Sequence, residues 1–148
     1  MKTNKLTKSA LVIALYVVIM YLTQSFAFLQ YQIRLATSLY ALAYIHPFLI
    51  IPMGIANGLS NLLLGGLGIL DIVGGIITGI IVSGLIVAIK KLNLDYRLCA
   101  IPILLIGLIV PIWLSVILEI NYLLLVINIT VGQVIPAILG VMLIRKLK

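Results

Sequence analysis

Five stretches at roughly 9–28, 48–66, 72–89, 98–118 and 122–144 run almost without charge, and nothing else constrains the fold of this chain as strongly. Each reaches or approaches the roughly 20 residues that a helix needs to cross the hydrocarbon core. A helix is also the form that satisfies its own backbone hydrogen bonds where water is absent. Hydrophobic residues make up 64% of the chain and charged residues 9%, whereas soluble domains carry about a quarter charged residues. The expected fold class is an all-α integral membrane protein, with residues 1–148 forming a single membrane domain. A shorter apolar segment, about 35–46, lies between the first two stretches. Pro47 disfavours helical geometry at His46 and marks a break there.

Nine of the ten cations fall in three clusters: Lys2, Lys5 and Lys8; Lys90, Lys91 and Arg97; and Arg145, Lys146 and Lys148. The positive-inside rule places all three in the cytoplasm. Both termini are then inside and the number of passes is even, so the segment 35–46 counts as a short or partly embedded sixth span. The basic N-terminus has the charge of a signal peptide. Its apolar run is too long, and no cleavage site follows Ser25, Phe26 and Ala27, so it reads as a retained first span. This topology sets Arg34, Asp71 and Glu119 near the outer face and leaves Asp95 in the inner basic loop, beside Lys91 and Arg97.

Arg34 is the tenth cation, alone in QYQIRLATS, and is where a ligand is expected. In the third span, Gly54, Asn57, Gly58, Asn61 and Gly65 fall within about 100° of arc, giving a face both thin and polar. Asn57 and Asn61 either bond neighbouring helices or line a solute path. Gly75, Gly79 and Ser83 form a small stripe suited to a tight crossing. Asp71, in GGLGILDIVGG, either caps the fourth helix or touches ligand. Asn128 and Gln133 lie about 140° apart on the helical wheel, so they cannot share one narrow cavity unless Pro136 bends the helix. Trp113 reads as a packing or interfacial aromatic before a stacking platform, and His46 as a helix-end group. With one histidine, no metal pair exists, and no nucleophilic triad has credible members. Cys99 reads as a small apolar residue. No GxxxxGK[ST] loop is present, so any nucleotide-driven work must come from another chain.

SALVIALYVV, QIRLATSLYAL, NLLLGGLGILDIVGG and VGQVIPAILG, in order over nearly the whole chain, resemble the substrate-binding (S) components of energy-coupling factor (ECF) transporters, and among them the queuosine-precursor transporter family QueT. NLLLGGLGILDIVGG is the most specific of these stretches. The resemblance implies a six-transmembrane-helix bundle that takes a small-molecule substrate from outside and works with a transmembrane coupling subunit and two cytosolic ATPases. It implies no enzyme activity, no cofactor and no nucleic acid partner. Gln32, Arg34, Asn61 and Asp71 are then expected at the substrate, with Thr37, Ser38, Asn57 and Gln133 as further polar candidates. Ala10 and Ala14, four apart, fit an alanine pair facing the coupling subunit, a spacing that lets a partner helix approach closely. Two departures stand out: Thr37 and Gln133 occupy positions where QueT-like sequences typically carry glutamate. A buried cation without a carboxylate partner is costly. The expected ligand is therefore a neutral relative of the cationic 7-aminomethyl-7-deazaguanine, such as its nitrile precursor, or another flat heterocycle. The competing readings are a structural or assembly membrane protein without a small-molecule site, in which the polar face only holds helices together, and a self-assembling channel.

Overall fold

The computed structural model describes residues 2–28 and 31–148. Among them there is no strand, and six apolar helical segments account for the bundle: α1 (Lys2–Leu22), α2 (Leu35–Ile45), α3 (Pro47–Gly65), α4 (Ile69–Lys91), α5 (Tyr96–Leu118) and α6 (Tyr122–Leu147). All but α2 are long and apolar enough to cross a membrane. Five segments thus meet the length criterion, and α2, which the six-span expectation counted, is the short one.

The shortness of α2 sets the depth of Arg34. Seven of its residues are 3-10 helix and four are α-helix, together covering about 20 Å of a hydrocarbon core about 30 Å thick. Thr37 and Ser38 support the unusual 3-10 run by donating their hydroxyls to the carbonyls three residues back, Arg34 and Leu35, both at 2.7 Å. The lower end of α2 lies among the cations: Lys90 Nζ donates to the Ile45 carbonyl at 3.4 Å, and Lys5 Nζ stands 5.9 Å from the Phe48 ring centroid. Lys148 Nζ lies 5.1 Å from the Tyr96 ring. The three basic clusters therefore gather at one end of the bundle. Arg34 lies at the other end of α2, whose length of about 20 Å is about 10 Å less than the hydrocarbon thickness.

Helices α3 and α4 touch backbone to backbone, as small residues permit in lipid. A Cβ at Gly79 would lie 2.7 Å from Gly54 Cα, and one at Gly75 would lie 2.6 Å from Asn61 Nδ2 and 3.0 Å from Asn57 Oδ1. Glycine at 75 thus gives the two asparagines their room. Helix α5 packs on α6, α6 on α2, and α1 on α3 and α2. Helix α1 is the most peripheral of the five long helices, burying Tyr16 and Met20 and leaving Leu11, Leu15 and Val18 exposed. The α3–α4 turn uses positive φ at Gly66 (68°) and Gly68 (92°), backbone states that a Cβ disfavours.

Candidate functional site

Arg34 is the hub of a hydrogen-bond network that reaches all six helices. Its Nη1 donates to Asn57 Oδ1 at 3.1 Å and its Nη2 to Asn61 Oδ1 at 2.9 Å. One turn of α3 separates the two asparagines, so their oxygens match the fork of a planar guanidinium. Asn57 Nδ2 donates to Tyr40 Oη at 2.7 Å, which meets Tyr16 Oη at 3.3 Å with the rings stacked at 5.9 Å. Asn61 Nδ2 donates to the Asp71 carbonyl at 2.9 Å, and Trp113 Nε1 donates to Asp71 Oδ1 at 3.1 Å. The line from Tyr16 to Trp113 crosses α1, α2, α3, α4 and α5.

A second branch joins α6. The Thr37 hydroxyl lies 2.8 Å from Gln133 Oε1 and 2.7 Å from the Arg34 carbonyl. Its one hydrogen serves one of these acceptors at a time. Gln133 Nε2 donates to the Gln32 carbonyl at 3.2 Å. The segment Tyr31–Arg34 lies directly on α6: a Cβ at Gly132 would run into the Tyr31 carbonyl. Gln32 is buried with φ of 41°, a left-handed conformation costing about 1–2 kcal/mol in a residue with a side chain. The bond from Gln133 and the close seat on Gly132 hold it there, and strain of this kind gathers at functional positions.

Above the network, a cavity of about 480 Å³ is lined by Phe28, Gln32, Gly65, Leu67, Leu114, Leu118, Ile120, Leu124, Leu125, Asn128 and Ile129. Of the eight residues expected at the substrate, Gln32 alone lines it. Arg34, Thr37, Asn57, Asn61, Asp71 and Gln133 are buried beneath, bound to one another directly or through a single intermediary. Ser38 is not brought to the site; it borders an apolar groove with Leu139, Met142, Arg145 and Lys146 towards the basic end. The reason is helical phase: the residue after Thr37 points away from the side that meets Gln133. Asn128 and Gln133 face different surroundings, as their angular separation required. Asn128 lines the cavity and Gln133 holds the substructure around Gln32 and Thr37.

Asp71 does not cap α4. Gly68 is the N-cap without a side-chain bond, and Asp71 in the first turn accepts from Trp113, still near the positive end of the helix dipole. Trp113 is thus a site residue as well as a packing one: a Cβ at Gly74 would lie 2.5 Å from its Cε2. Tyr16, Tyr40, Phe28 and Asn128 also belong to the site and its walls, beyond the expected set. The signal for the two tyrosines was their phenol oxygens, which need partners when buried in an apolar bundle. Ala10 and Ala14 are exposed on α1.

A bundle of membrane-length helices that encloses one buried cation and one buried carboxylate in a continuous polar network, with a cavity above, defines a multi-pass membrane transport protein. A profile of the QueT transporter family matches residues 6–148, essentially the whole chain, and the chain belongs to that family. QueT proteins are S components of ECF transporters and not enzymes. No curated protein and no solved structure matches the chain.

Proposed function

We propose that this chain is the substrate-capturing subunit of an ATP-driven ECF importer and that its substrate is a neutral, flat heterocycle of the queuosine-precursor class. The observation that carries this reading is the charge composition around the cavity floor. Arg34 and Asp71 supply one cation and one carboxylate; Asn61 accepts from the Arg34 guanidinium and donates to the Asp71 backbone carbonyl, while the carboxylate accepts from Trp113. Thr37 and Gln133, where family resemblance led to an expectation of carboxylates, face each other as a neutral pair at 2.8 Å. An ammonium group brought into this floor finds only the Asp71 carboxylate, one of whose oxygens Trp113 already holds, with no second carboxylate at position 37 or 133, and a buried charge left short of partners is disfavoured. Guanidinium and carboxamide groups instead offer directed bonds to the carbonyl and ring nitrogens of an uncharged base. The basic end and both termini are then cytoplasmic, the cavity opens to the outside, and Ala10 and Ala14 on the exposed side of α1 meet the transmembrane coupling subunit, which works with two cytosolic ATPases.

Titration of the purified chain with 7-cyano-7-deazaguanine and 7-aminomethyl-7-deazaguanine tests the substrate class. Tighter binding of the nitrile supports it. Preference for the amine removes the charge argument, and binding of neither removes the substrate class. Co-expression with a coupling subunit and ATPases tests the partnership: Ala14→Arg should abolish co-purification while leaving nitrile binding intact, and retained co-purification refutes the assignment of that face.

A further inference from the structure

In a site where nearly every buried polar atom is paired, two are not: Arg34 Nε and Asp71 Oδ2 have no hydrogen-bond partner among the described residues. Their residues are 7% and 3% exposed. An unpaired buried group costs about 1–3 kcal/mol, more when charged, so two in one network call for a reason. One is a donor and the other an acceptor, and Asn61 ties their residues together. One aromatic ring borders both residues. The guanidinium carbon of Arg34 stands 5.0 Å from the Phe28 ring centroid. A Cβ at Gly65 would lie 3.2 Å from Asp71 Oδ2 and 3.5 Å from Phe28 Cε1, so the carboxylate oxygen and the ring edge converge on a position that carries no side chain. Phe28 and Gly65 both line the cavity.

We propose that Phe28 occupies the place taken by a flat ligand ring, and that Arg34 Nε–H and Asp71 Oδ2 form the edge that reads it. The ligand presents an acceptor beside an N–H donor, the pattern of a lactam edge, and meets the guanidinium edge-on, in its plane, through the space that the Phe28 ring leaves. Turning the Phe28 ring aside gives up its contact with the guanidinium, and the ligand edge pairs both orphan atoms in exchange. Phe28 follows the short helical turn Gln24–Ala27, outside the long helices, so its ring can turn aside without moving them. Gly65 leaves the approach to the carboxylate open. This inference rests on the heterocycle reading above and adds the ligand edge, the atoms that recognise it and the residue that covers them.

The test uses 7-cyano-7-deazaguanine and its N1-methyl derivative, which lacks the lactam N–H, titrated against the full chain in detergent. Wild type should prefer the unmethylated base by about tenfold to a hundredfold, the range of a hydrogen bond to a charged group. Asp71→Asn puts an amide where the acceptor was and should erase the preference. Gly65→Ala, with its methyl in the approach, should weaken the unmethylated base at least tenfold at an unchanged unfolding temperature; it supplies an independent reading should Asp71→Asn fold poorly. A preference that survives Asp71→Asn, or full affinity in Gly65→Ala, overturns the inference while the heterocycle reading stands. Binding of neither base overturns both.

Discussion

Asn61→Ala is the substitution whose consequences the network defines most sharply. The side chain joins Arg34 Nη2 to the Asp71 carbonyl, with both bonds at 2.9 Å and all partners buried. Truncation leaves the guanidinium on Asn57 alone and a backbone carbonyl bare. A buried bond to a charged group is worth about 1.5–3 kcal/mol. Neutral bonds between helices in lipid average about 0.6 kcal/mol and rarely exceed about 1.7, because the unfolded chain in the membrane also finds partners. The charged bond therefore dominates, and the total is roughly 2–4 kcal/mol. For a chain of this length that lowers the unfolding temperature by roughly 5–15 °C. Trp113, the only tryptophan in the chain, donates to the Asp71 carboxylate, so its fluorescence reports both unfolding and disturbance of the site. The variant should also lose at least tenfold in affinity for 7-cyano-7-deazaguanine, since Arg34 is no longer held in place. A melting temperature within about 2 °C of wild type would falsify the claim that Asn61 anchors the guanidinium.

Three other outcomes are expected. Ser83 Oγ is buried without a partner among the described residues, so Ser83→Ala should be neutral or raise the unfolding temperature slightly; a clear loss would mean the hydroxyl is bonded after all. Gly132→Ala drives a methyl into the Tyr31 carbonyl and must push Gln32 and Arg34 away from α6. Ligand affinity should fall at least tenfold beside an overpacking loss of about 1–3 kcal/mol, and unchanged affinity would show that the loop does not need its seat on α6. At His46, the only histidine, burial first and then the charges of Lys8 and Lys90 hold the imidazole below its ordinary 6.5. The folded chain then resists a proton that the unfolded chain accepts. Its stability is undiminished above about pH 6.5 and declines as pH falls below that value. Thermal unfolding measured across this range should flatten in His46→Asn, and an equal slope in the variant assigns the effect elsewhere.

The spans were legible before any coordinates. The notable difference is the short α2, whose apolar character was visible but whose seven residues of 3-10 helix were not, since hydroxyls bonding back three residues do not alter the hydropathy pattern. Arg34 was legible because a lone charge among apolar residues must be accommodated, and Asn57 and Asn61 because their four-residue spacing puts them on one face. Ser38 borders a different groove from the one Gln32 lines, because proximity to Arg34 in sequence does not carry helical phase. Asp71 at a helix start suggested a cap, but Trp113 claims its side chain. Phe28 carried no distinguishing local signal, and the phenol oxygens of Tyr16 and Tyr40 signal a need for partners without saying which.

By itself, the sequence determined that this chain lies in a membrane, where its segments run, which clusters share one end, and that a buried arginine needs partners. Those are consequences of solvation: lipid excludes unpaired backbone and charge wherever they occur along the chain. Tertiary structure alone decided which partners met. The meeting of Thr37 with Gln133, Asn61 with Asp71, and Phe28 with Arg34 depends on backbone approach at glycines 54, 75, 79 and 132, and on a second helix shorter than the other five. Periodicity records which face a side chain occupies; only packed helices determine what stands opposite it.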